Sequence, residues 1–108
     1  MNFKIRTLAD FDNSFNRLSK KHKSLGNDLK KLLLQLQENP QLGTSLGNNF
    51  FKIRLKITAK SSGKSGGARL ITFVKIKDEE IYLAYIYDKS EENTVSDKSL
   101  KEWAKLIK

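Results

Sequence analysis

Residues 50–57, FFKIRLKI, alternate strictly between apolar and cationic side chains after the first phenylalanine. Side chains alternate faces along a β-strand, so Phe51, Ile53, Leu55 and Ile57 form one face and Lys52, Arg54 and Lys56 the other. This pattern requires a sheet with one side against a core and the other side carrying a row of like charges. Such a row repels itself unless something anionic neutralises it. Lysines that guard an edge strand against aggregation are the alternative. That explains one or two cations better than three in register, so the row points to a polyanion.

The rest of the charge agrees with this. The chain of 108 residues has a net charge of +9 and a pI near 9.8, a basic excess that favours nucleic acid or an acidic partner. From Asn39 to Lys77 there is no Asp or Glu, while Lys52, Arg54, Lys56, Lys60, Lys64, Arg69, Lys75 and Lys77 all fall there. Acid returns with Asp78, Glu79 and Glu80. Solvated surface lysines are the plain alternative for the segment. At 38% hydrophobic and 31% charged residues the chain is expected to be globular, one domain over 1–108. No apolar run is long enough to cross a bilayer, and Met1 is followed by mixed charge rather than a signal-peptide core, so a cytoplasmic protein without membrane contact is expected. Without cysteine it has no disulfide, no thiolate nucleophile and no cysteine-ligated zinc.

Periodicity places the elements. A short first strand is expected over 2–6. Leu8, Phe11, Phe15, Leu18 and His22 recur at helical spacing, predicting a helix over 8–22 broken by Gly26 and Asn27, with His22 among lysines on its surface. Leu29, Leu32, Leu33 and Leu36 predict a second helix over 27–38, ended by Asn39-Pro40. Residues 41–49 read as a loop. Three strands follow, 50–57, 68–76 and 80–87, then a last helix capped by Ser96 or Asp97, with Leu100, Trp103, Ala104 and Ile107 on one face. The order β-α-α-β-β-β-α describes an α+β fold: a small antiparallel sheet, an N-terminal helical hairpin on one face and a C-terminal helix.

The stretch 61-SSGKSGGARLITF-73 runs from a glycine-rich loop into a strand. Gly63, Gly66 and Gly67 let backbone N–H groups approach a phosphate, and Lys64 adds a point charge. It lacks the spacing of a Walker A loop and leads into a strand, and Gly66-Gly67 can equally make a plain hairpin turn. Arg69, Ile71, Phe73 and Lys75 share a face, and pairing with 50–57 would bring Arg69 beside Lys52, Arg54 and Lys56. Tyr85 and Tyr87 share a face of the last strand, where tyrosines either stack on bases or fill core; core is expected for Tyr82 and Tyr85. The basic face offers no histidine pair, no carboxylate cluster for a metal, and no histidine to activate a serine. What remains is phosphate chemistry run on Lys, Arg and Tyr, with no metal or cofactor. RNA brings its own nucleophile, the 2′-OH. Arg and Lys stabilise the charge that develops on phosphorus, and a lysine crowded by other cations is biased toward the neutral form that a base requires.

The motifs 52-KIRLKI-57, 65-SGGARLITF-73 and 84-AYIYDKSEEN-93, in this element order, resemble the RelE/HigB group of bacterial type II toxins within the RelE/ParE superfamily. The likeness covers nearly the whole chain, and SGGAR is similar to a HigB-like subgroup. It implies a ribosome-dependent mRNA endonuclease held inactive by an antitoxin, of helix-turn-helix type, encoded beside it; the ribosome and mRNA would be its other partners. By position, Lys52 and Arg54 match the family's basic pair, Arg69 the arginine opening the next strand, and Lys89 a basic residue after the last strand. The resemblance thus implies Lys52 as base, Arg54 and Arg69 on the pentacovalent phosphate, and Lys89 at the leaving oxygen or a phosphate. Lys56, Lys60, Lys64, Gly66 and Gly67 would hold RNA. The RelE branch has a catalytic tyrosine near the start of the last helix, where this chain reads 95-VSDKS-99; either Tyr87 takes the role or it is absent. Two alternatives remain: a ParE-like gyrase inhibitor, and a module that only binds antitoxin or nucleic acid.

Overall fold

The computed structural model describes residues 2–58 and 66–107. Its elements are β1 (Lys4–Thr7), α1 (Ala9–Lys21), α2 (Leu25–Glu38), β2 (Thr44–Gly47), β3 (Phe50–Leu55), β4 (Ala68–Lys75), β5 (Glu80–Asp88) and α3 (Asp97–Ile107). The strands form one sheet in the order β1-β5-β4-β3-β2. β2 to β5 make an antiparallel meander, and β1 joins the far side of β5 in parallel. This is the expected α+β fold with one strand more than the sequence suggested.

That added strand is β2, inside the segment read as a loop. It is short, polar and paired on one side only, with Thr44 opposite Lys52. Its signal was the pair Asn48-Asn49, which turns the chain into β3 with φ of 52° and 69°. Two successive left-handed residues are what a two-residue hairpin needs, and asparagine tolerates them.

Each helix buries the stripe its periodicity marks. Phe11, Ser14 and Leu18 of α1 and Leu25, Leu29, Leu32 and Leu36 of α2 face inward. They pack on Ile53, Leu55, Leu70, Val74, Ile81, Leu83 and Ile86, the sheet's first face. α3 lies on the other face, where Trp103 and Ile107 join Phe50, Ile71 and Tyr87. The break between α1 and α2 falls at His22–Ser24, not at Gly26. Gly26 sits in the first turn of α2, because the buried stripe already starts at Leu25. His22 is not on the surface as expected: it is 7% exposed and bonded to Asp88.

β5 breaks its own alternation. Ile71 stands opposite Tyr85 and Thr72 opposite Leu83, leaving Ala84 as an extra residue. The bulge puts Tyr82, Ala84, Tyr85 and Tyr87 all on the α3 side. Among the described residues no helix is long and apolar enough to cross a membrane.

Candidate active site

Register assembles the site. Arg54 of β3 is the direct partner of Arg69 of β4, and Arg69 is the direct partner of Tyr87 of β5. One row along, Lys52 faces Ile71, which faces Tyr85. Both rows lie on the α3 side of the sheet. The Phe50–Phe73 end of the same strands, with rings 4.8 Å apart, belongs to the apolar cluster under α3. The cationic row sits toward the opposite end of β3 and β4, beside the Leu55–Ala68 pair.

Arg69 is the most confined of these cations, at 7% exposure. Its Nη1 donates to the carbonyls of Ala68 (3.1 Å) and Gly66 (3.3 Å). Among the described residues no carboxylate pairs with it; the ion pairs of neighbouring Asp88 run to His22 and Lys21. Its remaining donors have no partner among the described residues, nor are they sealed from solvent, since Thr72 Oγ1 is the one buried polar side-chain atom left unbonded there. A guanidinium fixed at one nitrogen and open at the others is preorganised for an oxyanion. Arg54 is exposed, Lys52 half-buried, and Lys56 exposed just past the end of β3. Lys89 is half-buried, and its amide donates to Gly67 O at 3.0 Å, extending the β4–β5 pairing by one bond.

Gly67 has a backbone reason to be glycine. It adopts φ +80°, and a Cβ there would lie 2.8 Å from Leu55 O. Its freedom serves the close approach of β3 and β4 beside Arg69. Gly66 supplies the carbonyl that holds Arg69. Lys60 and Lys64, expected to hold RNA, lie outside the described residues.

The tyrosines lie on the same face, on the strand next to Arg69. Tyr87 is fully buried, and its hydroxyl donates to Asn93 O at 3.5 Å. Burial pushes its pKa up, Arg69 partly opposes this, and Glu92 adds to it. Tyr85 donates to Glu92 Oε2 at 2.7 Å and stacks on Trp103 at 5.4 Å between ring centres. Burial first and the Glu92 carboxylate second push it up to about 12. Both phenols are therefore proton-bearing donors at neutral pH. Trp103 is anchored in turn by Asp10, at 2.8 Å.

Three polar groups beside the site escaped the sequence reading. Asp28, 5% exposed, accepts from the Thr58 amide (3.0 Å), the Thr58 hydroxyl (2.9 Å) and the Ser24 hydroxyl (2.8 Å). Burial opposes its ionisation, but these bonds together with Lys31 hold its pKa below the usual value. The others are His22, whose signal was its place four residues after Leu18 on the apolar stripe, and fully buried Asp88. Among the described residues no group of three or more His, Cys, Asp or Glu side chains is arranged to hold a metal ion.

Comparison with known proteins gives a consistent picture. A family model described as the RelE toxin of the RelE / RelB toxin-antitoxin system matches residues 11–108. No curated protein sequence matches the chain. Among solved structures, the chain is similar to a mutant of the E. coli toxin RelE in the free state, at 18% identity and TM-score 0.64, covering 100% of both chains. It is also similar to a chain of the intact E. coli RelBE toxin-antitoxin complex, at 18% identity and TM-score 0.61, over 79% of this chain and 94% of that one. At these identities the likeness speaks for the fold.

Proposed function

Because the chain belongs to the RelE family of toxins of toxin–antitoxin systems, we propose that it is an endoribonuclease that cuts mRNA on the ribosome and so stops translation. The observation that carries this is the in-register row Arg54–Arg69–Tyr87, with Lys52 alongside and the donors of Arg69 left open. A phosphodiester laid across the row meets positive charge from two strands.

In the proposed reaction Lys52 takes the proton of the 2′-OH. The 2′-oxygen then bonds to phosphorus, and the bond from phosphorus to the 5′-oxygen breaks. Arg54 and Arg69 stabilise the pentacovalent phosphate. Lys89 donates a proton to the departing 5′-oxygen, leaving a 2′,3′-cyclic phosphate. Tyr87, buried beside Arg69 on the neighbouring strand, supports the guanidinium rather than touching RNA. Lys56, Lys60 and Lys64 attract phosphate, and Gly66 and Gly67 shape the backbone beside Arg69. The reaction uses no metal, so toxin pretreated with chelator should cleave as fast as untreated toxin in the same ribosome buffer; activity restored by one transition metal alone would overturn this. The partner that silences the protein is an antitoxin encoded beside it, and the setting is the bacterial cytoplasm.

Expression without the neighbouring gene tests the reading. Growth should arrest and mRNA should be cut inside translated regions. Arrest with intact mRNA and a DNA-damage response would replace the ribonuclease with a gyrase poison, and no arrest would leave a binding module.

A further inference from the structure

The turn between α1 and α2 and the first turn of α2 after it present two inward-facing ionisable side chains that the proposed reaction does not use, His22 and Asp28. Each reaches the end of a strand at the cationic end of the sheet. His22 Nε2 lies 3.0 Å from Oδ2 of Asp88, the last residue of β5. An ionised carboxylate only accepts, so the ring nitrogen donates. Oδ1 of Asp88 takes the Ser90 amide (2.9 Å) and hydroxyl (2.8 Å), and its backbone carbonyl takes the amides of Glu91 and Glu92. Asp88 therefore fixes the turn that carries Lys89. On the other side Asp28 holds Thr58, two residues after Lys56, through both amide and hydroxyl. Between these two anchors stand Arg54 and Arg69, like charges directly opposite each other, an arrangement that pushes strands apart. Burying polar pairs is a poor way to gain stability, because apolar residues of the same volume often do as well or better. What the pairs supply is fixed geometry.

We propose that the α1–α2 turn is a clamp on the site: His22, through Asp88, positions Lys89, and Asp28, through Thr58, positions the Lys56 end of β3. The inference rests on the ribonuclease reading and adds to it positioning residues that touch no RNA.

Cleavage of mRNA on programmed ribosomes by His22→Phe and Asp88→Asn tests it. Phenylalanine keeps a ring of similar volume but loses the donor. Asparagine keeps the shape, an oxygen for Ser90, and an amide N–H for the other tautomer of His22. A small misplacement of catalytic groups is costly, so His22→Phe should lose roughly 10- to 100-fold in kcat with KM nearly unchanged. Asp88→Asn, which keeps the Ser90 bonds but not the charge that meets Lys21, should lose less than His22→Phe. Parental kcat in folded His22→Phe, or a loss confined to KM, overturns the clamp. If His22→Phe does not fold, Thr58→Val at an exposed position decides: Lys56 serves binding, so the clamp requires KM to rise with kcat unchanged, and an unchanged KM refutes it. Amide hydrogen exchange separates this idea from the function on which it rests. A parent that cleaves no RNA sinks the ribonuclease reading alone. The clamp then stands if exchange quickens at Lys89 and Ser90 in His22→Phe, or at Lys56 in Thr58→Val, and falls if it does not.

Discussion

Arg69 combines confinement with the lack of a carboxylate partner among the described residues, and the two together argue for a role in chemistry. A buried arginine that served the fold would be expected to find a carboxylate, because burying an unpaired charge is costly. Here Asp88, the nearest candidate in sequence, is engaged by His22 and Lys21. Arg69→Ala should therefore cut cleavage by ~100-fold or more while its melting temperature stays near that of the parent. An inactive variant that melts far lower would make Arg69 a structural residue. The phenols give a second test, read in alkali. Tyr85 holds its proton to about pH 12 in the folded chain, whereas an unfolded tyrosine loses it near 10. Between those values the native state binds more protons than the unfolded state, so stability falls as pH rises. Titration of stability from pH 9 to 12 should show a shallower decline in Tyr85→Phe than in the parent. Equal slopes would mean that Tyr85 is not the group responsible.

At the scale of elements, the approach of β3 to β4 depends on Gly67. Alanine there would face both a left-handed backbone and the Leu55 carbonyl. Gly67→Ala should cost about 1–3 kcal/mol, seen as a melting temperature lower by several degrees, and should reduce cleavage because Arg69 follows two residues later. A variant as stable and active as the parent would remove this role. The same elements show what a sequence can and cannot disclose. β3 was legible because its period-2 pattern, apolar on one face and cationic on the other, located Lys52 and Arg54, and β4, buried on both faces, was legible as an apolar run with Arg69 at its start. β2 was not, because a polar edge strand buries too little to leave a pattern. The direct pairing of Arg54 with Arg69 could be posed only as a condition, since register follows from partners distant in the chain. The bulge at Ala84 leaves no mark in composition, yet it sets which tyrosines meet α3. His22 was misread because the lysines beside it in sequence face water while its own ring points at Asp88, 66 positions away.

The molecule as a whole is charged unevenly across its sheet. The acid-free stretch 39–77 contains β2, β3 and β4, which are consecutive neighbours in the sheet order. The carboxylates of Glu80, Asp88 and Glu91 gather on β5 and the turn after it, where they engage Arg6, Lys21, His22 and Arg17. One lateral half of the sheet is thus left to face a polyanion, and a field of that kind steers encounter with RNA at a rate that salt screens. If three or four phosphates are neutralised on binding, affinity should fall roughly 20- to 50-fold between 50 and 200 mM monovalent salt. Measured as kcat/KM on programmed ribosomes at constant magnesium, that loss should appear in full, while kcat at saturation changes little because the reacting row is already engaged. Lys56→Ala removes one exposed cation at the rim of the row, so it should lower the slope of log affinity against log salt by about one without changing kcat. A dependence on salt that is flat, or identical in Lys56→Ala, would mean that this half of the sheet does not carry the RNA.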